Sequence, residues 1–186
     1  FKKHYDEHNN HLWDLYREGG ILKEVLNVKR FELTLADFGI DNHKVAVGMS
    51  RDHILLDPGR AFLMPYAPES LAYLSSKYSL HLLSNGFSEV QEQKYRIARL
   101  DRYFKTVTTS EEAGIKKPDP GIFDFAMDRA ACSAEEAIMI GDDLEVDILG
   151  ARNVGMDQVY YNTNGHDHNE AVTFEIRSLK ELLEIL

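Results

Sequence analysis

From Phe1 to about residue 60, apolar positions recur every three or four residues: Leu12, Leu15 and Tyr16, then Leu22, Val25 and Leu26. That spacing lines one face of a helix. Gly19-Gly20 breaks the first helix. Thr34 followed by Asp37 has the spacing of a capping box and predicts that a new short helix starts there. Asp41 or Asn42 predicts the start of the next helix, which runs through Val45 and Met49 toward Leu56 and ends at Asp57-Pro58-Gly59. Beyond residue 65 the pattern changes. Pro65, Pro68 and Glu69 open a helix through Leu71 and Leu74. Strands are predicted at 79–83, 106–109, 137–140 and 158–161. Helices are predicted over 87–100, 121–131, 145–153 and 179–186. Short apolar strands that alternate with helices predict a parallel sheet. The division is a helical unit over 1–60 and an α/β unit over 61–186. Phe1-Lys2-Lys3-His4-Tyr5 reads as the inside of a helix, so further residues are expected upstream.

Composition narrows the function classes. The 186 residues are 44% hydrophobic and 28% charged, which suits a folded globular chain rather than a disordered one. Twenty-one Lys and Arg against 31 Asp and Glu give a formal charge of −10. An acidic surface repels phosphate backbones, which argues against nucleic-acid polymers and anionic membranes as partners. A bound phosphate would need a local site, and a cation is one way to build it. The single cysteine, Cys132, excludes an intramolecular disulfide and a cysteine-based zinc site, and fits a reducing, cytoplasmic setting. Apolar runs such as Ile54-Leu55-Leu56 fall far short of the ~18 residues that span a bilayer.

In open α/β sheets, ligands bind beyond the carboxyl ends of the strands. Three predicted strand ends carry chemistry. Ser84-Asn85-Gly86 follows the first, with a hydroxyl and a helix opening that suits an anion. Lys116-Lys117-Pro118 follows the second, and Lys117 is a compact charge that can neutralise a phosphoryl group. Gly141-Asp142-Asp143-Leu144-Glu145-Val146-Asp147 follows the third, and its carboxylates are hard oxygen donors of the kind Mg²⁺ takes. Each group has an ordinary reading too: a helix cap, a solvated lysine, acidic residues favoured by a helix dipole. Their combination, in this order at strand ends, is more specific than any member.

That combination resembles the haloacid dehalogenase superfamily. Leu83-Ser84-Asn85-Gly86 is similar to its second motif, Lys117-Pro118 to its third, and Gly141 through Asp147 to its fourth. Residues 65–186 carry the resemblance, as do Ser110 through Phe123 and Gly150 through Gly155 within them. Trp13, Tyr16, Gly19 and Ser84-Asn85-Gly86-Phe87 resemble the pyrimidine 5′-nucleotidase branch. The resemblance implies an α/β fold, a Rossmann-like parallel-sheet core with a small all-helical cap. It implies a Mg²⁺-dependent phosphohydrolase of small phosphorylated metabolites, such as a nucleoside 5′-monophosphate. Ser84, Asn85 and Lys117 would bind phosphate, Lys117 would be catalytic, and Asp142 and Asp147 would hold the metal. The family's first motif, Asp-x-Asp-x-Thr, supplies its nucleophile, and this sequence does not contain it. The expectation is that the aspartate lies upstream; a degenerate, inactive relative is the alternative.

Other features point less sharply. His4, His8 and His11 share one helical face, more in keeping with a solvated polar face than with a metal site. His166 and His168 flank Asp167 in what reads as a polar loop after the last strand. Trp13, Tyr16, Phe31 and Phe38 suit a core better than a base-stacking pocket. Nothing selects Arg51 or Arg60 as a substrate contact. A dehalogenase and a non-enzymatic binding module compete with the phosphatase. Asp142 and Asp143 set it apart from the dehalogenase, whose chemistry needs no metal. A phospho-receiver domain is disfavoured by chain order, because Lys117 precedes Asp142.

Overall fold

The structure, a computed structural model, describes residues 1–56, 59 and 62–186. Asp57, Pro58 and Arg60, named in the sequence analysis, lie outside the described residues. The chain divides into two compact units, Phe1–Arg60 and Ala61–Leu186.

The first unit holds α1 (Lys2–Arg17), α2 (Lys23–Ala36) and α3 (His43–Leu56). Its core forms where Phe31, Leu35 and Ala46 meet, with Tyr5, Val28 and Met49 packed around them. Thr34 starts no new helix. It sits in the middle of α2, fully buried, and its hydroxyl donates to the Arg30 carbonyl at 2.6 Å. With the hydroxyl satisfied inside the helix and Phe31 and Leu35 continuing the apolar stripe, the cap signal has nothing to act on. The expected cap of α3 is present, since the Val45 amide donates to the Asn42 side chain at 3.2 Å. Of the aromatics, Phe31 and Tyr16 are buried and Phe38 is half-exposed. Trp13 meets Tyr16 edge-on at 5.6 Å.

His4 and His8 converge on Asp37, just past the end of α2. His4 Nδ1 and His8 Nε2 both lie 2.8 Å from the same carboxylate oxygen, while His11 is exposed. Among the described residues, no group of three His, Cys, Asp or Glu side chains could hold a metal ion.

The second unit alternates as expected. It contains α4 (Ala67–Lys77), β1 (Leu80–Ser84), α5 (Ser88–Ile97), β2 (Phe104–Thr109), α6 (Ser110–Ala113), α7 (Pro120–Ala130), β3 (Ile138–Gly141), α8 (Gly150–Asn153), β4 (Asp157–Tyr161), β5 (Phe174–Ile176) and α9 (Leu182–Ile185). All strand pairs are parallel. They form two ladders, β1-β2 and β3-β4-β5, in place of one continuous sheet. The two ladders share their covering layers. On one face, Leu80 of β1 and Ile138 and Ile140 of β3 pack on the cluster of Leu74, Val159, Ile176 and Leu182. On the other, Leu83 of β1 and Met139 of β3 pack on Ile122, Phe123 and Ala151. Alternation along each strand places these side chains on opposite faces, as the two-residue period requires.

Two elements escape the hydrophobic pattern. β5 is only three residues long, with one buried position, Ile176. α6 is a single turn capped by Thr109. The expected helix over 145–153 is a wide π-helical turn, Leu144–Leu149, followed by α8. Such turns insert an extra residue and cluster at functional sites. No described helix is long and apolar enough to cross a membrane.

Phe123 is 1% exposed and joins α7 to the sheet face, so Phe123→Ala should destabilise the unit by about 3–5 kcal/mol in urea unfolding. The Asp37 carboxyl is held below its ordinary range by the hydrogen bond from His8, then by that from His4. A lowered native value means that the unfolded chain binds the proton first as pH falls. The clip therefore contributes fully above the ordinary carboxylate range and is lost as acid passes through the lowered native value. A ¹³C titration should place Asp37 below the ~3.9 of an ordinary aspartate, and His8→Ala should move it back toward that value.

Candidate functional site

The site assembles at the carboxyl ends of β1, β2 and β3. Ser84 and Thr109 are register partners at the ends of β1 and β2. Ser84 Oγ accepts the Gly86 amide at 3.0 Å, which leaves the hydroxyl hydrogen to donate elsewhere. Helix α5 opens later than expected, at Ser88, and its first amide donates to the Glu111 carboxylate at 2.7 Å. That acidic side chain already occupies part of the helix terminus expected to receive an anion.

Lys117 is 7% exposed and is the buried cation of the site. Its Nζ donates to Asp147 Oδ1 at 2.5 Å and to the Leu83 carbonyl of β1 at 3.3 Å. Three features fix this arrangement. Asn85 grips the Lys117 backbone from both sides: its amide nitrogen donates to the Lys117 carbonyl at 2.9 Å, and its oxygen accepts the Lys117 amide at 2.8 Å. The other oxygen of Asp147 accepts the Asp143 amide at 3.3 Å. Gly141 gives Asp147 its room, because a Cβ at Gly141 would lie 2.4 Å from the Asp147 Cβ.

The acidic loop divides its work. Asp143 caps the π-helical turn and accepts the Glu145 and Val146 amides at 3.1 and 3.0 Å. Asp147 is 6% exposed and committed to Lys117. Asp142 is exposed, and among the described residues no group hydrogen-bonds or ion-pairs with its carboxylate. The structure thus brings Ser84, Asn85, Lys117 and Asp147 together, with Asp142 at the rim. Asn85 faces Lys117 through both ends of its amide, a placement that differs from the expected direct hold on phosphate. For Mg²⁺, which keeps most of its waters and takes one or two carboxylates plus phosphate oxygens, Asp142 offers the free hard-oxygen donor that fits.

Sequence reasoning missed a polar cluster beside this loop. Tyr160 of β4 is the register partner of Gly141 on one side and Glu175 of β5 on the other. Burial, then the negative charges of Glu175, Asp143 and Asp142, raise its phenol above the ordinary value. His168 meets the Tyr160 ring edge-on at 5.3 Å, accepts the Glu170 amide on Nδ1 at 3.2 Å, and places Nε2 3.3 Å from the Glu175 carboxylate. Asn162, 2% exposed, donates to Glu175 at 2.8 Å and to the His166 carbonyl at 2.9 Å. The available signals were an asparagine directly after an apolar strand and the histidines His166 and His168 that follow it, which read as a polar loop.

Two ladders of parallel strands, with hydroxyl, lysine and carboxylate gathered at their carboxyl ends, define an α/β protein whose candidate site lies at that edge of the sheets. The haloacid dehalogenase-like hydrolase family model matches residues 11–155, and the chain belongs to that family. It is 28% identical to the HAD-hydrolase YfnB of Bacillus subtilis (strain 168) over 194 residues, spanning 100% of this chain and 79% of that protein. The crystal structure of YfnB bound to magnesium superposes with a TM-score of 0.90, covering 99% of this chain and 81% of the other. The pyrimidine 5′-nucleotidase YjjG of Escherichia coli (strain K12) is 29% identical over 185 residues, 98% of this chain and 80% of that one. The 2-haloacid dehalogenase of Pseudomonas syringae pv. Tomato DC3000 has a TM-score of 0.68 at 27% identity, covering 98% of this chain and 79% of the other.

Asn85→Ala should release the Lys117 segment. The loss of two part-buried hydrogen bonds should lower stability by about 1–3 kcal/mol in urea unfolding. Lys117 amide exchange should accelerate with it.

Proposed function

We propose that the chain is the greater part of a Mg²⁺-dependent phosphohydrolase of small phosphorylated metabolites, with nucleoside 5′-monophosphates as the first substrate class to try. The observation that carries this reading is the buried Lys117 ammonium. It is held between the Leu83 carbonyl and Asp147 at the ends of β1 and β3. A fixed, desolvated cation beside a hydroxyl donor suits a phosphoryl group, whose charge spreads over three oxygens in the transition state.

In this reading an aspartate upstream of Phe1 attacks phosphorus, and the P–O bond to the leaving alcohol breaks. The aspartyl-phosphate that results is then hydrolysed by water. Ser84 donates its hydroxyl hydrogen to a phosphate oxygen. Lys117 stabilises the developing negative charge. Asn85 acts by holding the Lys117 backbone, and Asp147 by holding its ammonium. Asp142 is the carboxylate that would receive Mg²⁺, with Asp147 beside it as the second carboxylate of the loop. The ion would supply further neutralisation of the phosphoryl oxygens.

Dehalogenation is the second reading, supported by the likeness to the Pseudomonas syringae enzyme. The free carboxylate of Asp142 favours the metal-requiring reaction. Two measurements test the proposal on protein that includes the upstream segment. Lys117→Ala and Asp142→Ala should each lower phosphatase turnover by at least ~10²-fold. Chelation should abolish activity on nucleoside monophosphates, and added Mg²⁺ should restore it. Wild-type rates in both variants would overturn the assignment. Activity on a 2-haloacid that survives chelation would favour the dehalogenase.

A further inference from the structure

The helical unit holds a polar cluster as well as its apolar core. Arg30 of α2 is 5% exposed, and Asn27, one turn before it on the same helix face, is 7% exposed. Arg30 Nη2 donates to Asn27 Oδ1 at 3.0 Å. Its Nη1 donates to Oδ1 of the half-buried Asn9 of α1 at 3.2 Å. These bonds fix which way both carboxamides face. A guanidinium only donates, so each amide has to turn its oxygen to Arg30 and its NH₂ group away. Among the described residues, no acceptor receives Asn9 Nδ2 or Asn27 Nδ2. The service to Arg30 does not account for that chemistry. A carboxylate at either position would be the stronger acceptor for a buried guanidinium. The amides give up that strength and add donors, and a nearly buried donor without an acceptor is costly to keep.

We infer that Asn9 and Asn27, oriented by Arg30, form a donor-only binding site in the helical unit. Its ligand presents oxygen acceptors and no donors: a carboxylate, or the carbonyl edge of a dicarbonyl ring. The two NH₂ groups touch the ligand. Arg30 is a positioning residue, and it acts through both amides at once. By drawing on their oxygens it polarises the outward N–H groups and makes them better donors. A ligand edge that carries an amine sets donor against donor and is refused. Half-buried Asn9 gives the approach, and the more deeply buried Asn27 gives the selectivity, because an N–H left without an acceptor there costs more. The site is complete within α1 and α2 and does not rest on the phosphatase reading.

The side-chain NH₂ signals of Asn9 and Asn27 in ¹⁵N spectra of the full chain test the site with no catalytic readout. Their loss in Asn9→Asp and in Asn27→Asp assigns them. Succinate and uridine, each at millimolar concentration, are the probes for the carboxylate and for the ring dicarbonyl. At least one of them should shift both pairs of signals saturably, and the one that does names the source of the acceptors. Cytidine, which carries an amine where uridine has a carbonyl, should bind at least ~10-fold more weakly than the successful probe. Asn27→Asp keeps the oxygen that Arg30 needs and replaces the NH₂ group with a second acceptor. It should therefore hold or raise the urea unfolding midpoint and yet weaken the successful probe at least ~10-fold. A purely structural asparagine would leave binding unmoved. No saturable shift with either probe, cytidine bound as tightly as the best of them, or undiminished binding in a folded Asn27→Asp overturns the inference. The wild-type titrations decide it even if that variant fails to fold. Absence of phosphatase activity leaves these results standing, so the two readings fail separately.

Discussion

The second unit is organised around a charge that has left water. Lys117 and Asp147 are each at most 7% exposed and meet at 2.5 Å. Burying an isolated ammonium or carboxylate carries a desolvation penalty of several kcal/mol, so neither is tenable alone. The remaining lone pairs and protons are met in part: Leu83 accepts a second ammonium proton, and the Asp143 amide reaches the second carboxylate oxygen. The demand spreads outward from there. Asn85 has to hold the Lys117 backbone, Gly141 has to stay without a side chain, and the π-helical turn has to deliver Asp147 inward. A buried ion pair of this kind is weak evidence for stability. Under the proposed function, its geometry serves to fix a cation for a phosphoryl group.

Much of this was legible in the sequence, for physical reasons. The alternation of β-branched and aliphatic runs with helical spacing located β1 to β4, because burial on both faces leaves a plain apolar signature. That Ser84 and Lys117 would lie beyond strand ends was legible because the apolar runs before them mark where the strands stop. Residue roles were less so. Asn85 and Asp147 are polar groups whose partners are set by packing from 30 or more residues away, and sequence spacing carries no record of that. Thr34 shows the converse error, a local capping signal overridden by the apolar stripe on either side of it. β5 was invisible because three residues with one buried position hold no period. The Tyr160, His168 and Glu175 cluster was lost with it, since β5 is what brings Glu175 to Tyr160.

The helical unit depends on a different economy. Its core is a small set of apolar contacts among three helices, and its polar ties lie near the surface. The carboxylate clip from Asp37 to His4 and His8 joins the start of α1 to the end of α2, where helix packing alone leaves the chain ends loose. Such exposed pairs contribute little individually and are screened by salt.

The arrangement of the ladders also shapes how the second unit reaches its native state. Every strand pair joins neighbours in the chain: β1 with β2, β3 with β4, β4 with β5. Each pairing closes one crossover, a shorter loop than the span from β1 to β3. What joins the ladders is longer in range: the reach of Lys117 to Asp147, and the shared packing on Phe123 and Leu74. The boundary between the two ladders is thus where pairing within a crossover gives way to contacts between more distant parts of the chain.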